Sequence, residues 1–270
     1  LLRLIATRHQ NQTRPNEMAA PASGNPTQIT VTTSERIIYY FSRHWMLIFS
    51  LFYGLYVGLP FLAPILMKIG WESPARIIYT FYSLLCHQMA QRSFFLFGTK
   101  TMYSMSEIQA VWPHNFDIFL LRRFIGTSEL GWKVAWSDRM VSMYTSILLF
   151  GWIWYPLRRR VKLLPLWGFF LIILPMALDG ISHVISDFAG IGQGFRYPNE
   201  WLAILTDNTF ALSFYAGDAL GSFNFWMRLL SGSLFGLGFV WLGFPYLDEA
   251  TTETMNALKP KFQHTGDNTA

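Results

Sequence analysis

Residues 163–185 read LLPLWGFFLIILPMALDGISHVI, directly after Arg158-Arg159-Arg160-Val161-Lys162. An apolar run of about 20 residues is long enough to cross the hydrocarbon core of a bilayer. A dense basic cluster at its edge marks the cytoplasmic flank of such a run. Near the far end of the run stand Asp179 and His183. An ionisable group inside hydrocarbon persists only if it is paired, reaches water, or works. This one stretch therefore sets both the fold class and the place to look for function.

Outward from it, the segments 45–67, 75–97, 134–155 and 225–246 have comparable length and apolarity. The expectation is an all-α integral membrane protein, a bundle of about five transmembrane helices. Of 270 residues, 52% are hydrophobic and 14% charged, well under the quarter usual in soluble domains. The net charge of +5 is scattered or flanks apolar runs, which is the pattern of orientation signals rather than of nucleic-acid binding. The single cysteine, Cys86, excludes an internal disulfide and any paired-cysteine zinc or redox motif. No cofactor is implied.

The chain divides into a disordered tail at 1–34, a first transmembrane helix with its link at 35–74, a four-helix membrane core at 75–246, and a C-terminal tail at 247–270. Residues 1–17 differ in character from the stretch that begins at Met18 and read as an upstream extension. With five spans and Arg158–Lys162 cytoplasmic, the 98–131 and 186–222 loops fall outside and the 68–74 link inside. The N-terminus then also falls outside, where Arg36 and Arg43 conflict with the charge rule. Residues 116–125 suit a short interfacial helix after the break at Trp112-Pro113-His114-Asn115.

On this topology the polar groups gather at one depth near the outer face. Cys86, His87, Gln88 and Arg92 come from the second span, Asp138 and Arg139 from the third, Asp179 and His183 from the fourth, and Arg228 from the fifth. Pro175, Asp179 and His183 are four apart and share a helix face. The candidate catalytic groups are His87, Asp138, Asp179 and His183, with a histidine moving a proton. The candidate ligand-binding groups are Gln88, Arg92, Arg139, Tyr144 and Arg228, since guanidinium forks suit carboxylate and phosphate. Arg92, Arg139 and Arg228 against Asp138 and Asp179 leave one surplus positive charge, so an anionic small molecule or lipid headgroup completes the set. No metal is expected; the alternative set is His87, Asp179 and His183. Gly232 and Gly236 on the fifth span form a small-residue packing face. Trp132, Trp136, Trp152 and Trp154 read as exposed aromatic contacts.

Taken together, Cys86-His87-Gln88, Arg92-Ser93-Phe94, Asp179-Gly180 and Arg228 with Ser231-Gly232 and Gly236 resemble a family of bacterial and archaeal membrane proteins, domain of unknown function 2085. The resemblance spans roughly residues 75–245. A further element of that family, a cysteine two residues before an arginine with a tyrosine five beyond, is matched by Arg139 and Tyr144, with Ser137 in the cysteine's place. The resemblance implies a shared polar cluster and no particular activity.

The function expected is handling of a small polar or anionic ligand, or a lipid headgroup, at an extracytoplasmic ionic site of a multi-pass protein in the cell (inner or cytoplasmic) membrane. Two other classes stand beside it. One is a non-catalytic subunit or assembly factor whose buried charges only lock helix packing; the other is a metal-dependent membrane hydrolase. The sequence names no protein partner.

Overall fold

The computed structural model describes residues 30–113 and 118–264. Helix α1 (Thr33–Arg43) opens on a reciprocal cap between Thr32 and Glu35 and leads into α2 (Trp45–Lys68). A short α3 (Glu72–Ser83) turns back along α2. Strand β1 (Ser93–Leu96), α4 (Met105–Val111), α5 (Ile118–Arg123), β2 (Gly126–Thr127) and β3 (Gly131–Ser137) come next. After them are α6 (Asp138–Leu157), α7 (Leu166–Asp187), α8 (Glu200–Leu205), α9 (Leu212–Tyr215) and α10 (Phe223–His264).

Among the described residues, four helices are long and apolar enough to cross a membrane: α2, α6, α7 and α10. The segment 75–97 is not a fifth. Its helix stops at Ser83, Gln88 adopts a left-handed conformation at φ +51°, and residues 93–96 pair with β3. The cause is polar satisfaction. Gln88 donates to the carbonyls of Tyr79 (3.0 Å) and Ala135 (2.9 Å), bonds unavailable to it on a lipid-facing helix. The helix expected from Val134 begins only at Asp138, because Val134, Ala135 and Trp136 lie in β3, the central strand of an antiparallel β1-β3-β2 sheet. Trp136 is fully buried there, stacked on Tyr144 with centroids 4.6 Å apart, and Trp154 is buried against Phe244. Neither is the exposed contact that its sequence suggests; Trp152 is exposed.

The sheet carries one buried cation. Lys133 Nζ donates to the carbonyls of Gln88 (2.6 Å) and Arg122 (2.8 Å), fastening the 84–89 loop to β3. Desolvation pulls its pKa down to about 7.

With four such helices, α1 and the distal half of α10 come to the same end of the bundle. Trp45 donates to Asp248 (3.2 Å) and Arg158 pairs with it (3.4 Å), so α1, the 158–165 loop and the second half of α10 share one end. The 68–74 link lies at the other end, where Lys68 sits 5.8 Å from the Trp132 ring. The expected C-terminal tail is helix as far as His264. At 1.5 Å per residue the 42 residues of α10 run about 63 Å, twice a bilayer core. Its distal half packs on α1 through Tyr39–Phe262 and the Glu35–Lys261 ion pair. The expected tail at 1–34 falls largely, and the extension at 1–17 wholly, outside the described residues, as do His114 and Asn115.

Helix α10 is the spine of the bundle. A Cβ on Gly232 would come within 2.9 Å of the Arg139 carbonyl, and one on Gly236 would collide with Ser146 Oγ. Both glycines therefore let α10 meet α6 backbone to backbone. Ser142 ties the same seam, donating to Leu229 O (2.5 Å) and lying 2.9 Å from Ser233 Oγ. On its other side α10 packs along α7. Consecutive helices α6 and α7 make no extended contact with each other, and a cleft is left between them.

Candidate functional site

The polar groups at the end of the bundle opposite α1 form two chains of ion pairs. In the first, Arg92 binds Asp187 through both terminal nitrogens (2.9 and 3.0 Å) and Asp218 through Nε (2.9 Å). Arg228 continues it, donating to Asp218 (2.7 Å), the Asp218 carbonyl (2.7 Å) and both oxygens of Asp138 (2.9 Å). Every guanidinium nitrogen of Arg92 and Arg228 has an acceptor. Burial alone would raise the Asp218 carboxyl, but Arg92 and Arg228 beside it hold it below the usual carboxylate range.

The second chain is shorter. Asp179 accepts from Arg139 (2.6 Å) on one oxygen and from Arg196 (2.6 Å) on the other. Arg196 Nη2 also lies 3.3 Å from His183 Nε2. Here the donors outnumber the acceptors: Arg139 Nε, Arg196 Nε and His183 Nδ1 have no hydrogen-bond partner in the protein. Gly180 makes the arrangement possible, since a Cβ there would stand 3.0 Å from Arg139 Nη1. The guanidinium thus lies against the α7 backbone and ties α6 to α7 across the mouth of the cleft.

Local structure explains why these groups meet. The register Ser93↔Ser137 sets Arg92 beside the first turn of α6. Asn199, at φ +46°, and Asn224 both donate to the Arg196 carbonyl (2.8 and 2.6 Å), which fixes that loop over the cluster. Asp187, Arg196 and Asp218 look in the sequence like loop charges in solvent; the structure turns all three inward. With them the expected surplus of positive charge disappears: Arg92, Arg139, Arg196 and Arg228 face Asp138, Asp179, Asp187 and Asp218.

The cleft between α6 and α7 encloses about 710 Å³. Its polar end is lined by His87, Arg92, Arg139, His183, Asp187 and Arg228, and its apolar length by Met140, Ile173, Met176, Ile181, Val184 and Phe235. Asp138 and Asp179 stand one layer behind, held by the lining arginines. Gln88 and Tyr144 are not brought to the cleft; Gln88 binds backbone and Tyr144 packs on Trp136 and Tyr56.

Hydrogen-bond roles at the polar end are set by the donors around each group. The Met89 N–H donates to His87 Nδ1 (3.1 Å), so the neutral ring carries its proton on Nε2. Desolvation first, and the charge of Arg92 next, push the His87 pKa down to about 3. Arginine can only donate, so His183 Nε2 accepts from Arg196 and its proton sits on Nδ1. All carboxylate oxygens of the four aspartates already accept from arginine. What remains for a guest is a set of N–H donors. Among the described residues no three His, Cys, Asp or Glu side chains converge as a metal set, and Asp179, needed for the His87–Asp179–His183 alternative, is occupied by two arginines.

Cys86 Sγ lies 3.5 Å from Ser137 Oγ. No known protein-family model and no solved structure matches the chain. Over 152 residues the chain is 27% identical to an uncharacterised protein of Methanocaldococcus jannaschii, an alignment covering 53% of this chain and 75% of that protein.

Proposed function

We propose that the protein is a multi-pass membrane protein whose α6–α7 cleft takes up an amphiphile sideways from the bilayer. The amphiphile's acceptor-rich, anionic head is held by Arg139, His183 and His87. One observation carries this reading. The polar end of the cleft presents Arg139 and His87, whose Nη1 and Nε2 donate to no described residue, while its walls are apolar. An oxyanion head on a hydrocarbon tail matches both ends, and guanidinium with neutral imidazole is a well-suited donor set for such a head.

The orientation we infer places α1, the 158–165 loop and the distal half of α10 in the cytoplasm. Arg36, Arg43, Arg158, Arg159, Arg160, Lys162, Lys259 and Lys261 all fall at that end, in keeping with the charge rule. The cleft's head-binding end then faces outward across a cell membrane. The structural lock is a second reading, favoured by the saturated chain through Arg92 and Arg228, and we assign it to that half of the cluster.

Native mass spectrometry of protein extracted in mild detergent tests the reading. The wild type is expected to retain an anionic amphiphile, and Arg139→Gln to lose it while still melting cooperatively. No retained amphiphile in the wild type, or equal retention in both, would overturn it.

A further inference from the structure

The 188–222 segment is too polar to span a membrane, yet large apolar side chains make up much of its surface. Phe188 is 86% exposed, Leu212 82%, Ile204 79% and Leu205 75%. Trp201, Phe195, Phe210 and Leu220 are also exposed. Part of the segment's polarity is used internally. Arg196 and Asp218 point into the ionic cluster, and Asn199 is fully buried against backbone carbonyls. Only Glu200 and Asp207 place a charge on the outside of the segment.

We propose that this segment does not stand in water but lies half-immersed in the interfacial layer of the outer leaflet, with lipid as the occupant of its apolar face. Two observations select lipid over a protein partner. First, the face lies beyond a stripe on α7 (Trp167, Phe170, Leu171, Leu174 and Leu178, all exposed) that runs along a helix long and apolar enough to cross a membrane and points towards Phe188 at its end. Secondly, α8 and α9 wrap the first turn of α10: Trp201 and Phe214 pack on Phe223, with ring centroids 5.8 and 6.1 Å apart. Trp226, one turn further along α10, is itself exposed. That sets the two short helices at the depth where a span enters the bilayer, which is where exposed aromatic and aliphatic side chains embed at the headgroup–acyl boundary. The buried ion pairs then sit below a lipid-covered rim rather than beneath open water. This inference does not depend on what occupies the α6–α7 cleft.

The test uses the full chain in vesicles of phosphatidylcholine and phosphatidylglycerol, with nitroxide labels on cysteines introduced singly at Ile204, Leu212, Glu200 and Asp207. Native Cys86 is buried and stays unlabelled. Labels at Ile204 and Leu212 are expected to relax with dissolved oxygen several-fold more than with a water-soluble nickel chelate, and labels at Glu200 and Asp207 in the opposite sense. Nickel access at Ile204 and Leu212 equal to that at Asp207 would put the segment in water. Shielding of both positions from both relaxants would mean that protein covers the face. Either outcome overturns the proposal.

Discussion

The two halves of the ionic cluster are built from the same residue types at the same end of the bundle, yet they differ in how completely they are satisfied. In the Asp138–Arg228–Asp218–Arg92–Asp187 chain each arginine nitrogen meets an acceptor, and Arg228 is only 2% exposed. In the Arg139–Asp179–Arg196 chain two arginines share one carboxylate, and Nε of each is without a partner. A closed network fixes geometry; one with spare donors beside a cavity can hold a guest. Buried charge alone therefore does not mark a site. The unspent hydrogen-bonding capacity does.

The largest expected effect comes from breaking the closed half. Arg228→Gln leaves Asp138 without a cation and Asp218 with Arg92 alone, which should cost about 3–5 kcal/mol. Arg139→Gln leaves Asp179 still paired with Arg196, so the loss should be nearer about 1 kcal/mol. Thermal melting of the two variants in the same detergent checks the difference; equal losses would erase the distinction between the halves.

A pH series sharpens it next. His87 opens onto the cleft, where desolvation first and the charge of Arg92 next lower its pKa below the ordinary value of 6.5 that the unfolded chain keeps. A depressed folded pKa means the unfolded state binds the extra proton, so stability declines as pH falls from about 7 towards 3. His87→Gln should flatten that decline in melting temperature between pH 7 and pH 4.5. An unchanged slope would place the titrating group elsewhere.

Gly180→Ala probes the open half more gently. The added methyl improves helix propensity by about 1 kcal/mol but meets Arg139 Nη1 at 3.0 Å. The expected outcome is unchanged or slightly higher melting temperature with weaker amphiphile retention. Smallest of all is Ser137→Cys. With a copper–phenanthroline oxidant added, the introduced thiol should form a disulfide with Cys86, whose sulfur lies 3.5 Å from the serine oxygen. Loss of both thiols to a maleimide under denaturation would show it, and would give the resemblance in this region a geometric basis.

Much of this was legible in the sequence, and the parts that were not share a cause. The α7 and α10 spans, the common face of Asp179 and His183, and the Gly232–Gly236 seam follow from helical spacing. The helix break at Ser83 and the strand at Gly131–Ser137 did not, because a short apolar run such as Val134-Ala135-Trp136 has no period that separates buried strand from helix. Arg196 and Asp218 were invisible as cluster members for another reason. A loop charge in one dimension looks solvated, and only Asn199 and Asn224, which pin the Arg196 carbonyl, turn it inward. Counting charge on the spans alone leaves a surplus cation, whereas the folded cluster balances four against four. The positive character survives only locally, at Arg139 and Arg196.

The most direct test of the account is ligand-linked stabilisation. A guest that binds only the folded protein raises stability by about 1.4 kcal/mol when present at about tenfold over its dissociation constant. Titrating phosphatidylglycerol into detergent-solubilised protein should raise the melting temperature of the wild type, leave Arg139→Gln unmoved, and give no such rise with phosphatidylcholine. An equal rise in wild type and Arg139→Gln, or no rise in either, would contradict the claim that the open half of the cluster is a binding site.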